Sequence, residues 1–167
     1  MHCVLFPFNC VRFIFVAKQD LLGRAYVNKR PGQTALYLMN AARSVATNDL
    51  KFAIQLGHAG RKASHNVPWL GGRALSKEQD AWLTSAPSSI PFTQDSPLPK
   101  ELDKDEMQQI IKNFVSATKR AVRLGFSAIE FHGAHGYLIH EFISPISNRR
   151  KDEYGGCLLY TSPSPRD

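Results

Sequence analysis

Apolar positions in the middle of this chain follow two rhythms. Met107, Ile110, Ile111, Phe114, Val115, Thr118, Ala121 and Val122 recur at steps of three and four residues, the period of a helix with one apolar face. This predicts a helix from Lys104 to about Leu124. Asp103 serves as its N-cap, with Glu106 three residues on as capping-box partner. Lys119, Arg120 and Arg123 suit the negative end of the helix dipole, and Gly125 fits the residue just past the last turn. Leu36, Met39, Ala42, Val45 and Ala46 repeat the spacing more loosely and predict an earlier helix over 35–46, broken by Asn48 and Asp49. Two short apolar runs, Lys51 to Leu56 and Phe126 to Phe131, predict buried strands.

Helix and strand therefore alternate, and alternation implies an α/β fold with a parallel sheet. Each strand runs into a polar, glycine-containing segment: Gly57-His58-Ala59-Gly60-Arg61-Lys62 after the first, His132-Gly133-Ala134-His135-Gly136-Tyr137 after the second. In a β/α barrel all strands deliver their C-terminal ends to one mouth, which would bring Gln55 and His132 together. Residues 63–99 read as a long loop, with Pro68, Gly71, Gly72, Pro87, Pro91, Pro97 and Pro99. A loop of that length is expected to be functional or to carry its own small hairpin.

The ends differ from the middle. Residues 1–17 hold four of the ten phenylalanines, with Arg12 interrupting them and no Lys or Arg before it. A secretory signal would need basic residues first and an unbroken apolar run afterwards, so a strand or a misassigned start is expected instead. Residues 1–34 are left unassigned, 35–156 form the expected domain, and 157–167 are read as a non-native tail.

Hydrophobic residues make up 43% of the 167, charged residues 21%, and the formal charge is +7. A basic surplus raises nucleic acid as a partner, but no basic run alternates with aromatics as a strand-binding groove needs, so none is expected. Cys3, Cys10 and Cys157 make no C-x-x-C pair, which argues against a disulfide framework, zinc or iron–sulfur cluster and fits a reducing, cytoplasmic setting. No apolar run reaches the length of a membrane span.

His132, His135 and Tyr137 follow a parallel strand, where α/β enzymes keep their chemistry. Two imidazoles and a phenol can donate hydrogen bonds and a proton to a polarised oxygen or carbon. Plainer readings stand beside this one. His132 and His135 could be a metal pair with Glu130, His140 or Glu141, or structural histidines; Tyr137 could merely pack, and Gln55 could be a polar strand end. His58, Arg61 and Lys62 are read as a solvated loop. Asn148, Arg149, Arg150 and Asp152 are expected to fix the following loop rather than touch a ligand.

Taken together, these segments resemble one family. Gln55-Leu56-Gly57-His58-Ala59-Gly60-Arg61-Lys62 resembles the third-strand motif of the Old Yellow Enzyme family of flavin oxidoreductases, and His132-Gly133-Ala134-His135-Gly136-Tyr137-Leu138 its fourth-strand motif. The run Phe142-Ile143-Ser144-Pro145 to Tyr154-Gly155-Gly156 is similar to the family's next loop. Pro68-Trp69, Gly71-Gly72 and Ala86-Pro87-Ser88 resemble the loop of its bacterial-type ene-reductase branch. Three motifs in order, over about Asn48 to Gly156, are far more specific than any one.

The resemblance implies a TIM barrel holding FMN, reduced by NADPH or NADH, that passes hydride to the C=C bond of small α,β-unsaturated carbonyl compounds. It implies that His132 and His135 bind the substrate carbonyl oxygen, that Tyr137 delivers the proton, and that Gln55 binds the flavin's pyrimidine edge, with no metal ion. The expected architecture is a partial (β/α)8 barrel, about strands three and four with their helices and a long inserted loop, inactive by itself. A homo-oligomer is compatible with a full-length parent. Two alternatives remain: the iron–sulfur flavoenzyme branch, with dienoyl-CoA reductases and amine dehydrogenases, and a non-catalytic remnant.

Overall fold

The computed structural model describes residues 3–6, 10–17, 51–66, 71–79 and 81–156. The helix expected over 35–46, the Pro68-Trp69 pair and the tail 157–167 lie outside the described residues. Chain order is β1 (Cys3–Phe6), β2 (Cys10–Ala17), β3 (Lys51–His58), β4 (Ser85–Ala86), β5 (Lys100–Glu101), α1 (Lys104–Arg123), β6 (Ala128–Phe131) and α2 (Leu138–Ile143). Short 3-10 turns occupy Gly60–Lys62 and Lys77–Gln79. The chain divides into two compact units, one of residues 1–57 and 104–132, the other of 58–103 and 133–167.

The first unit is built on a sheet of order β1-β2-β3-β6. β1 and β2 pair antiparallel, from Cys3 opposite Phe13 to Phe6 opposite Cys10. Both lie in the segment left unassigned from sequence. Their β-branched and aromatic residues suit a strand, but Pro7, Asn9 and Arg12 break the alternation that would announce one. β3 and β6 pair in parallel, with Ala53 opposite Ala128, Ile54 opposite Ile129, Gln55 opposite Glu130 and Leu56 opposite Phe131. Parallel neighbours need a long crossover between them, and α1 lies within it.

α1 starts at Lys104, as the capping pattern predicts, and buries Met107, Ile110 and Ala121. Phe114 meets the edge of Phe131 with ring centroids 5.8 Å apart. Gly125 adopts a left-handed φ of 85°. Its N–H bonds the Val122 carbonyl at 2.9 Å and the Phe126 N–H bonds the Ala121 carbonyl at 3.2 Å, the paired bonds of a Schellman stop. Phe126 is thus spent on ending the helix, and β6 begins two residues later than the apolar run suggests. Among the described residues no helix is long and apolar enough to cross a membrane.

The second unit is mostly loop, with order supplied by polar contacts. A bridge between His65 and Ala74, with Asn66 N–H to Arg73 O at 2.8 Å and Leu75 N–H to Ser64 O at 2.9 Å, ties two stretches of the long loop together. β4 and β5 form a two-residue parallel pair. Among the described residues, Leu102, Pro87, Pro99 and Glu141 are its largest fully buried side chains. The Arg150 guanidinium reaches the Pro87 carbonyl at 2.9 Å, the Leu102 carbonyl at 2.6 Å and the Asp152 carboxylate at 2.6 Å. Asn148 donates to the Phe142 and Tyr154 carbonyls at 2.8 and 2.7 Å. Asn148, Arg150 and Asp152 therefore fix the loop, as their position predicts.

Candidate active site

Gln55 sits near the C-terminal end of β3 and is buried, at 4% exposure. Register partners on parallel strands share a face, so its side chain meets that of Glu130: the Gln55 amide donates to Glu130 Oε1 at 2.7 Å. His132 follows β6 directly, and its N–H bonds the Leu56 carbonyl at 2.8 Å, extending the ladder one step. Its ring is buried. The bare backbone of Gly57 lies alongside, where an added Cβ would stand 3.2 Å from His132 Cβ. The first unit thus brings Gln55 and His132 to the ends of adjacent parallel strands.

His135 and Tyr137 belong to the second unit. His135 takes a left-handed φ of 57°, uncommon outside glycine, and Gly136 follows at 68°. Three bonds hold this turn. Lys62 Nζ donates to the His135 carbonyl at 2.7 Å. The Gly136 N–H donates to His140 Nδ1 at 2.8 Å, and the Tyr137 N–H to the Ala134 carbonyl at 3.1 Å. Tyr137 is extended, caps α2 and accepts the Glu141 N–H at 2.8 Å.

The segment after β3 departs from the solvated loop its composition suggests. His58 is buried, and its Nδ1 accepts the Gly60 N–H at 3.0 Å. Burial pushes its imidazole down to about 3. Arg61 bonds the Pro91 carbonyl at 3.2 Å. Lys62, besides gripping His135, stands 4.6 Å above the Phe92 ring. The reason is Glu141, fully buried in α2, whose Oε1 accepts the Arg61 N–H at 2.9 Å. Burial pushes this carboxyl up to about 7, against the Arg61 N–H bond and the charges of Arg61 and Lys62. Gly60, at φ 59°, leaves the carboxyl its space; a Cβ there would run into it. Composition gave no hint of this, since a glutamate on a short helix ordinarily faces water. Among the described residues no three His, Cys, Asp or Glu side chains are grouped so as to hold a metal ion.

Residues 37–159 match the NADH:flavin oxidoreductase / NADH oxidase family. The chain belongs to that family. A curated relative, the NADPH dehydrogenase of Geobacillus sp. (strain WCH70), is 44% identical over 119 residues, which is 71% of this chain and 31% of the relative. Old Yellow Enzyme from Pichia sp. AKU4542 superimposes with a TM-score of 0.62 at 27% identity, over 78% of this chain and 33% of that one. Histamine dehydrogenase from Rhizobium sp. 4-9 gives a TM-score of 0.56 at 32% identity, over 75% of this chain and 18% of that one. These neighbours are TIM barrels of the Old Yellow Enzyme type. The chain spans about a third or less of the length of the curated relatives it matches.

The family is one of FMN-dependent oxidoreductases that draw on NADH or NADPH. The residues present fit a flavin at one edge. The Gln55 amide is buried at a strand end, and its bond to Glu130 uses one of two N–H donors. A side-chain amide offers the mixed donor and acceptor character that a flavin's pyrimidine edge requires.

Proposed function

We propose that residues 35–156 supply strands three and four of an FMN-holding barrel, with a long insertion between them, and that this barrel reduces the C=C bond of α,β-unsaturated carbonyl compounds. The observation that carries the reading is the parallel β3–β6 pair, which carries Gln55 near the C-terminal end of one strand and His132 just beyond the other. When bound, FMN supplies hydride, drawn from NADPH or NADH, to the substrate's β-carbon. Gln55 holds the flavin's pyrimidine edge. His132 and His135 each donate an N–H to the substrate's carbonyl oxygen, where negative charge develops as the double bond is reduced, in the manner of an oxyanion hole. Neutral imidazoles suffice, since each needs one N–H. Tyr137 holds the proton that the α-carbon takes, its phenol O–H serving as the donor. A chain spanning a third of its relatives' length is proposed not to turn over alone.

A second reading is amine oxidation, favoured by the likeness to histamine dehydrogenase at 32% identity. One experiment separates the two. Residues 48–156 are grafted into the Geobacillus NADPH dehydrogenase in place of its matching segment. The graft should bind FMN stoichiometrically and consume 2-cyclohexenone in an NADPH-dependent reaction. A yellow graft that NADPH reduces but that leaves the enone untouched would overturn the proposal. Reduction of its flavin by histamine would favour the second reading.

A further inference from the structure

We propose that Lys62 is a positioning residue for the His135–Tyr137 turn: its ammonium and the His140 ring clamp one peptide plane from both ends. The plane is the His135–Gly136 peptide. Its carbonyl oxygen takes the Lys62 Nζ bond at 2.7 Å, and its N–H gives the bond to His140 Nδ1 at 2.8 Å. Flipping this peptide would break both bonds at once. The clamp matters because the turn holds a non-glycine residue in the left-handed region. His135 stands at φ 57° and Gly136 at φ 68°, and a left-handed non-glycine residue persists only where its surroundings over-determine it. The two bonds also reinforce each other, since a cation on the carbonyl polarises the peptide and strengthens its N–H as a donor.

Lys62 is itself held for the task. A lysine stem is flexible, and fixing it costs side-chain entropy. Its ammonium stands 4.6 Å over the Phe92 ring, a favourable cation–π arrangement. Its backbone sits in the 3-10 turn that Glu141 pins through the Arg61 N–H at 2.9 Å and that the Arg61 guanidinium ties to the Pro91 carbonyl. Gly136 completes the fit: a Cβ there would stand 3.1 Å from both Lys62 Cε and Nζ. The segment after β3 thus fixes the segment after β6 from 73 residues away. The function proposed above supplies what the turn is held for; the clamp itself does not depend on flavin.

The test uses the 167-residue chain carrying Lys62→Met or Lys62→Arg, read by residue-resolved amide hydrogen exchange. Lys62→Met should speed exchange at the Gly136 and Tyr137 amides by about tenfold while leaving α1 amides as protected as before. Lys62→Arg, which keeps a long cation, should restore most of that protection. Unchanged exchange at Gly136 in Lys62→Met would overturn the proposal. So would faster exchange spread evenly over the chain with no rescue by arginine, since that marks loss of general stability rather than of a local clamp. An inactive graft beside a Lys62-dependent turn would sink the proposed function and leave this inference standing; an active graft with a Lys62-independent turn would do the reverse.

Discussion

Among the described residues, the first unit is ordered by its backbone ladder and the apolar face of α1. The second is ordered by side chains reaching backbone carbonyls and amides. In the first, β3 and β6 exchange main-chain bonds in register and α1 buries Met107, Ile110 and Ala121. In the second, Arg150, Asn148, Arg61, Lys62 and Glu141 each tie together segments that have almost no ladder of their own. A ladder tolerates the loss of one side chain, whereas a web of single polar links fails where a buried acceptor loses its donor. Catalytic groups are commonly carried on loops for adaptability, and such loops need this kind of bracing.

The largest effect that this contrast predicts is at Arg150. Its side chain is 7% exposed, and Arg150→Leu would take this guanidinium from the Pro87 and Leu102 carbonyls and from the Asp152 carboxylate. The loss should be about 3 kcal/mol or more, visible as a lowered denaturant midpoint. Hydrogen exchange should rise first across residues 85–103 and 144–156, with α1 affected last. Uniform loss of protection in both units would break the contrast.

Much of the first unit is legible in the amino-acid sequence because its order is periodic. The three- and four-residue steps of α1 and its glycine stop are local signals, and the apolar run of β3 needs no partner to be recognised. β1 and β2 were legible only in part: a strand was one of two readings of residues 1–17, but two short interrupted segments reveal their antiparallel pairing only when placed side by side. The second unit hides its order for a different reason. β4 and β5 are two residues each, too short for any period. The left-handed turn at His135 carries no glycine at that position to betray it. Glu141 and Lys62 look like ordinary surface charges until the segments they join are placed side by side. The motif residues Gln55, His132, His135 and Tyr137 could be named from the sequence, but the groups that hold the His135 turn could not.

A smaller effect sharpens the same point through pH. Glu141 has its carboxyl raised by burial from 4.5 to about 7. Folding therefore favours its protonated form, and the stability this contributes is present in acid and lost as pH rises through about 7. His58 has the opposite sign. Its imidazole is lowered by burial from 6.5 to about 3, so stability is lost as pH falls below 6.5 toward 3. Between pH 4.5 and 6.5 the two slopes oppose each other. Glu141→Gln should remove one and expose the other, so that unfolding free energies from urea titrations across this window fall toward acid by an added ~2 kcal/mol. Parallel pH profiles for wild type and variant would contradict the account of Glu141.

Proton delivery by Tyr137, as proposed, is read from stopped-flow kinetics of the flavin-loaded graft carrying Tyr137→Phe. Reoxidation of the reduced flavin by 2-cyclohexenone should slow at least about tenfold, while its reduction by NADPH should stay within about twofold of the unsubstituted graft. Equal slowing of both half-reactions, or of neither, would contradict it.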